Sequence, residues 1–309
     1  MPDIITLGEL LWEMSAVASA PGHYTLGFAG DALGFAVTAV RQGASVGLVT
    51  RVGNDPFGAQ LRVLLEHEGV DCAGMVVDER AVTGGRFLHQ GPAGGQRSEV
   101  RAGTAASSLA PGDIDGDAVA DAVFVYASSL TQALSASANA AVLALLREAR
   151  AQGVSTAFRV RLQPRLWTRS EAREAIAATF ALTDYAFLGY DDARNLCGSD
   201  DVDVIMKWAH GLGAQVVLLT RGAEGVCISQ GAGADVIAMA SFEVDRVADG
   251  AIGAGDCFAG ATVARLVAGD ALLDAVRHAN AAASLAVRAS GLAAIPDRER
   301  VRQFLASQV

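Results

Sequence analysis

Short apolar runs of strand length alternate with longer segments of helical spacing along most of this chain, and that rhythm narrows its possible folds more than any other feature. Ile4-Ile5-Thr6-Leu7 reads as a buried strand stopped by Gly8. Residues 32–42 carry helical spacing and stop at Gly43, and Val46-Gly47-Leu48-Val49 reads as the next strand. Asp55-Pro56 is an N-cap with proline at the first helical position, opening a helix that ends near Gly69. Met75-Val76-Val77 follows as a strand. Beyond residue 101 the alternation resumes, with strands expected at 122–126, 154–158, 185–188, 216–220 and 225–229. Helices are expected at 135–151, 170–180, 201–212, 254–268, 270–289 and 297–307, with Ser135 or Ser137 capping the first of these. Such alternation implies a parallel sheet covered by helices on both faces.

Residues 82–101 break the rhythm. Gly84-Gly85, Gly91-Pro92 and Gly94-Gly95 punctuate short β-prone pieces, which reads as a hairpin excursion from the core. No low-complexity linker and no internal repeat divides the 309 residues, so one domain over 1–309 is expected.

Composition excludes several classes of function. The chain is 51% hydrophobic and 19% charged, which argues against disorder, and it holds no apolar run long enough to span a bilayer. Its formal net charge of −10 argues against general binding to nucleic acid or to anionic membranes, leaving small molecules as the expected partners. Lys207 is the only lysine and follows Ile205-Met206, so a G-x-x-x-x-G-K-[ST] phosphate loop is impossible. Cys72, Cys197, Cys227 and Cys257 are widely spaced, without the pairing of a zinc site or a disulfide framework. Met1-Pro2-Asp3 leads directly into a strand without the features of a secretory signal, so a cytoplasmic protein is expected.

Two short matches dissolve on inspection. Gly43-Ala44-Ser45-Val46-Gly47 has the spacing of a nucleophile elbow, but a helix enters it and a strand leaves, the reverse of what the elbow needs. His67-Glu68 lacks the second histidine of a zinc-protease helix. The segment Gly250-Ala251-Ile252-Gly253-Ala254-Gly255-Asp256 is different in kind. Its glycines precede an alanine-rich helix, so backbone N–H groups can converge on an anion at the positive end of the helix dipole. Asp256 in the first turn is placed to take a proton from a hydroxyl attacking a phosphoryl group. A tight loop closed by an acidic helix cap explains the same residues equally well.

Gly253-Ala254-Gly255-Asp256 resembles the G-A-G-D signature of the ribokinase-like (PfkB) sugar kinases, and the resemblance extends over nearly the whole chain. Thr6-Leu7-Gly8-Glu9 with Glu13 is similar to that family's opening strand, and Gly30-Asp31-Ala32-Leu33 to its glycine-rich substrate motif. Gly53-Asn54-Asp55-Pro56-Phe57-Gly58 matches a characteristic turn and helix start. Arg101-Ala102-Gly103-Thr104-Ala105-Ala106-Ser107 resembles a segment of the 2-keto-3-deoxygluconate kinases, and Pro164-Arg165-Leu166-Trp167 and Arg221-Gly222-Ala223-Glu224-Gly225 also fit.

The resemblance implies a three-layer α/β/α ribokinase-like core with a small β-sheet lid drawn from about 10–30 and 82–102. It also implies ATP and Mg²⁺, and in many relatives a homodimer formed through the lid. Asp256 would be the catalytic base, with Gly253, Ala254 and Gly255 as its anion hole. Glu13, Gly30, Asp31, Arg101 and Arg161 would bind substrate, the arginines taking the carboxylate of a sugar acid. Thr220, Gly222 and Gly225 would bind nucleotide and Asp192 would serve the metal.

The chain departs from the family pattern around the same site. Ala29-Gly30 stands for a glycine pair, and Gly34 for an asparagine. Arg159-Val160-Arg161-Leu162-Gln163 stands where D-x-N-x-R is usual, exchanging an acid and an amide for two cations. Gly189-Tyr190-Asp191-Asp192 replaces N-x-x-E, and Gly250-Ala251-Ile252, with Asp249 one place early, replaces an acid and two hydroxyls. Two readings follow: an ATP-dependent kinase of a sugar or sugar acid, or a kinase fold that binds sugar or nucleotide with weak or no phosphoryl transfer.

Overall fold

A computed structural model describes residues 1–17, 19–20, 22–91, 94–245, 253–289 and 291–308. In chain order the strands are β1 (Ile4–Leu7), β2 (Leu11–Ala16), β3 (Tyr24–Ala29), β4 (Val46–Gly53), β5 (Met75–Asp78), β6 (Gly85–Gly91), β7 (Gly94–Val100), β8 (Phe124–Ser128), β9 (Ser155–Val160), β10 (Tyr185–Gly189), β11 (Val216–Thr220), β12 (Val226–Gln230) and β13 (Ile237–Met239). The α-helices are α1 (Asp31–Arg41), α2 (Pro56–Glu68), α3 (Gly116–Ala120), α4 (Ser129–Gln132), α5 (Ala136–Gln152), α6 (Arg169–Phe180), α7 (Tyr190–Cys197), α8 (Val202–Gly211), α9 (Ala254–Val267), α10 (Leu272–Ala286) and α11 (Arg298–Ala306).

Nine strands form the core sheet, in the order β13-β12-β11-β10-β9-β8-β1-β4-β5. Successive residues of each strand face opposite cores, as the pleat requires. Ile4, Tyr126 and Leu218 pack on one side against α1, α2, α9 and α10, while Ile5, Val125 and Leu219 pack on the other against α5, α6 and α8. The expectation of a parallel sheet needs one correction. The run β11-β10-β9-β8-β1-β4-β5 is parallel, but β12 and β13 are antiparallel additions at one edge. Only residues 221–225 separate β11 from β12, too few for the crossover that a parallel pair demands.

The caps explain the helix boundaries. Asp55 accepts the N–H groups of Phe57 and Gly58 at 3.0 and 2.9 Å, and Gly69 ends α2 in the left-handed conformation. Ser135, not Ser137, caps α5. Ser45 spends its hydroxyl on Asp3, which removes the last interest from the nucleophile-like match.

A second, four-stranded sheet in the order β3-β2-β6-β7 lies within the two segments where the resemblance puts the lid. The pairing of Glu13 with Arg86 and of Arg86 with Glu99 shows that its charged residues share one face. Trp12, Met14 and Phe87 alternate onto the other, where Trp12 stacks on Phe57 of α2 at 5.2 Å.

What fixes the site is the crossing of α1 and α9. A Cβ at Gly260 would lie 2.6 Å from the Phe35 carbonyl oxygen, so the two backbones meet there with no room for a side chain. One turn toward the N-terminus of each helix, Gly34 leaves the same kind of gap, and the Asp256 side chain fills it. Asp249, Gly250, Ala251 and Ile252, which include the replaced acid and hydroxyl positions, lie outside the described residues.

Candidate active site

Two helix N-termini meet at the floor of a cleft of about 1140 Å³. α1 is opened by Gly30 at φ +127°, where any Cβ would run into the Glu9 carbonyl. α9 is opened by Gly253 at φ +102°. Among the described residues no side chain caps either first turn, so each offers N–H groups and the positive end of its dipole. Each also carries a buried aspartate, Asp31 in α1 and Asp256 in α9. Ser128 at the end of β8 donates its hydroxyl to Asp31 Oδ2, while Oδ1 has no hydrogen-bond partner. A hydroxyl group entering the cleft could supply that missing donor.

The walls are rich in arginine. Arg86, Arg97, Arg101, Arg161 and Arg165 line the cleft, against Glu13, Asp31 and Asp256. Most of these cations are already engaged. Arg86 pairs with Glu13, and Arg101 pairs with Glu9 and, at 3.1 Å, with Glu99. Arg97 meets Glu99 at 3.0 Å. Arg165 donates only to the Arg97 carbonyl oxygen at 3.0 Å and, among the described residues, meets no carboxylate. Glu9 is fully buried behind this wall. Desolvation pushes its carboxyl up to about 8, against the opposing charge of Arg101.

Asp256 is 2% exposed and lies between two guanidinium groups. Arg159 Nη1 donates to its Oδ1, and Arg161 Nη1 stands 3.6 Å from its Oδ2. Both arginines therefore face the interior of the site and not solvent. Residues 159 and 161 share one face at the end of β9, and the order of strands aims that face at α9. Burial, reinforced by the neighbouring Arg159 charge, pushes Arg161 down to about 10.

Asp192 accepts the Leu162 N–H at 3.2 Å, and burial raises its pKa while Arg159 and Arg161 oppose the shift. For Mg²⁺ this is a poor donor set: one carboxylate within electrostatic reach of two guanidinium groups. No group of three or more His, Cys, Asp or Glu side chains that could hold a metal occurs among the described residues. Among the described residues the protein builds no metal cage there.

The structure separates the nucleotide candidates from the large cleft. Thr220 donates its hydroxyl to the Leu188 carbonyl oxygen at 3.1 Å. Gly222 (φ +58°) opens the turn at 222–224. Gly225 (φ +93°) is required by packing, since a Cβ would collide with the Met239 carbonyl. Beside them a second pocket of about 670 Å³ is lined by Ala223, Phe242, Arg288 and Phe304 among others.

Sequence reasoning thus placed Glu13, Gly30, Asp31, Arg101, Arg161, Gly253 and Asp256 in one cleft. It missed Arg86, Arg97, Arg165, Ser128 and the buried partner Glu9. One signal was available: Arg97, Glu99 and Arg101 recur at every second residue, the period of a strand with one charged face.

The chain is similar to known proteins over most of its length. A family model described as pfkB family carbohydrate kinase matches residues 1–298. The 2-dehydro-3-deoxygluconokinase of Thermoproteus tenax is 32% identical over 302 residues, covering 94% of this chain and 90% of that protein. The 2-dehydro-3-deoxygalactonokinase of Haloferax volcanii is 30% identical over 281 residues, covering 90% and 87%. Among solved structures, a PfkB protein from Polaromonas sp. JS666 superposes with a TM-score of 0.87 at 27% identity, covering 98% of this chain and 99% of that one. A putative ribokinase II from E. coli in complex with ATP and Mg²⁺ has the same fold, with a TM-score of 0.90 at 23% identity and coverage of 99% and 100%.

Proposed function

The chain belongs to the pfkB family of carbohydrate kinases, and on that premise we propose that it moves the terminal phosphoryl group of ATP onto a hydroxyl of a small sugar acid of the 2-keto-3-deoxygluconate type. One observation carries the reading: the uncapped N-terminus of α9, with Asp256 in its first turn, opens into the same cleft as the arginine wall. The first half suits phosphoryl transfer and the second suits a carboxylate.

The chemistry follows from the placement. The acceptor hydroxyl sits between Asp31 and Asp256. Its oxygen attacks the terminal phosphorus as the bond to the bridging oxygen breaks, that electron pair leaving on ADP, and Asp256 takes the hydroxyl proton. Charge developing on the transferred group faces the N–H groups at the start of α9. Arg165 is the cation best placed for the sugar carboxylate, since Arg86 and Arg101 are held by Glu13, Glu9 and Glu99 and Arg161 stands beside Asp256. Mg²⁺ would arrive on the nucleotide phosphates.

A second reading is favoured by a specific contact. With Asp256 gripped by Arg159, the base is neutralised, as expected of a fold that binds ligands without transferring phosphate. ADP release from Mg²⁺-ATP, measured against a panel of neutral sugars and aldonic acids, separates the two. The kinase reading expects sugar-acid-dependent turnover that falls by roughly 10²–10⁴-fold in Asp256→Asn. Silence across the panel, with a thermal shift still produced by sugar acid, would establish the binding protein instead.

The family's dimer is also part of this proposal. Tyr24, Leu26 and Val100 are exposed on the four-stranded sheet, and a second copy of the chain would cover them. Sedimentation equilibrium of wild type and Leu26→Glu tests it, a monomeric wild type being the contrary result.

A further inference from the structure

Arg159 lies in the anion site itself. A Cβ at Gly255 would overlap its guanidinium, 2.9 Å from Cζ and 3.2 Å from Nε, so the group rests against the first turn of α9, which no side chain caps. Its Nη1 holds Asp256, and Arg161 approaches the same carboxylate at 3.6 Å. Two guanidinium charges and the positive end of a helix dipole therefore converge on one carboxylate. Asp192 and Asp31 act on these arginines only at longer range, and among the described residues Asp256 is the one carboxylate in an ion pair with Arg159. Meanwhile a carboxylate whose oxygen is committed to a guanidinium is a weak base. The arrival of a phosphoryl group at the start of α9 would offer Arg159 a second anion within reach and release that oxygen.

We propose that Arg159 is a catalytic shuttle cation: without nucleotide it neutralises Asp256, and with ATP bound its guanidinium passes to the terminal phosphoryl group and frees Asp256 to accept the sugar hydroxyl's proton. This rests on the kinase reading above. The move exchanges one charge-assisted pair for another, so it needs no large driving force. Arg161 stays beside Asp256 and offsets repulsion between the freed carboxylate and the phosphate. In the transfer, the hydroxyl oxygen bonds to phosphorus, the bridging P–O electron pair leaves on ADP, the proton ends on Asp256, and Arg159 balances charge on the moving group. The base is thereby available only when there is something to transfer.

The test is calorimetric and needs no turnover. Titrations of ADP and of the non-hydrolysable ATP analogue AMP-PNP, each with Mg²⁺, are compared for wild type, Arg159→Ala and Arg159→Lys. Loss of a charge-assisted contact to the terminal phosphoryl group should weaken AMP-PNP roughly tenfold or more in Arg159→Ala and ADP by less than about threefold, with Arg159→Lys between. A merely structural arginine would weaken both nucleotides alike, and equal losses, or none, overturn the proposal. Should Arg159→Ala fail to fold, Arg159→Gln keeps the stem and poses the same comparison. A wild type that binds both nucleotides but phosphorylates no sugar refutes the kinase reading while the AMP-PNP-to-ADP ratio still decides on Arg159's contact. A wild type that binds neither removes both.

Discussion

Gly34→Ala isolates the placement of the base from the stability of the fold. In a helix interior, alanine for glycine gains about 0.5–1 kcal/mol. Here the new Cβ would lie 3.0 Å from Asp256 Cβ and 3.7 Å from its Cγ and Oδ2, so the aspartate must give by a few tenths of an ångström. α9 does not retreat as a body, because its other side is packed against α10 in the same core. The movement therefore falls on the Asp256 side chain, tethered at Oδ1 by Arg159. Local overlap of this kind costs about 1 kcal/mol, which cancels the helical gain, and Tm should stay within roughly 2–4 °C of wild type. Catalysis has no such compensation. An ångström of misplacement costs about 10²-fold, so a few tenths should lower kcat by roughly three- to tenfold with KM for ATP unchanged. Gly34→Asn, which restores the family residue, should do worse, since its amide needs the space Asp256 occupies. The assay is steady-state ADP release with the best sugar acid, paired with calorimetry on the same preparations. An unchanged kcat at unchanged Tm would refute the claim that Gly34 positions the base; a large fall in Tm would show that the helix crossing, not Asp256, had absorbed the methyl group.

Two further outcomes follow from named contacts. Gly260→Ala meets rigid backbone, 2.6 Å from the Phe35 carbonyl and 3.3 Å from the Ala39 nitrogen, so it should lower stability by about 1–3 kcal/mol, and a denaturation midpoint equal to wild type would contradict the close crossing. Glu9 titrates near 8 when folded against 4.5 in the reference state, chiefly through burial. Below about 4.5 both states hold the proton and the stabilisation is complete; between there and 8 only the folded state keeps it, so stability falls as pH rises and levels off above 8. Unfolding midpoints from pH 5 to 9 should show that slope in wild type and a flatter one in Glu9→Gln, parallel curves being the adverse result.

The core was legible because local chemistry and long-range packing agree there. Asp55-Pro56 and Gly69 mark both ends of α2, and the buried strands read as apolar runs because both faces are covered. β2 and β3 were placed only through the family resemblance. Their side chains are mostly half-buried or exposed, and one face of their sheet is charged, so no apolar periodicity announces them. The antiparallel edge was in principle readable from the five residues between β11 and β12. The motif-bearing part of the site, Gly30, Asp31, Gly253 and Asp256, was visible because each lies at a glycine-opened helix start. Its charge web was not: Arg159 and Asp256 are 97 residues apart, and Arg101 and Glu9 are 92. Such pairings are decided by strand order, which no local pattern encodes.

The substitutions that depart from the family motifs make better sense together than one at a time. A site that has merely decayed should leave a gap where a side chain was lost and an unanswered charge where one was gained. Gly34 leaves no gap, because Asp256 fills the space beside it. Arg159 is answered by that same carboxylate, and the absence of a side chain at Gly255 is what lets its guanidinium lie against α9. A side chain at 34 would displace Asp256, and a side chain at 255 would displace Arg159, so each small residue is the condition for a neighbouring charge. The acid that the motif would place at 159 would instead set a second carboxylate beside Asp256. With arginine there, positive charge is built into the protein beside the start of α9, and on the proposed kinase reading a poor metal cage and an anion-seeking helix start would serve one transfer.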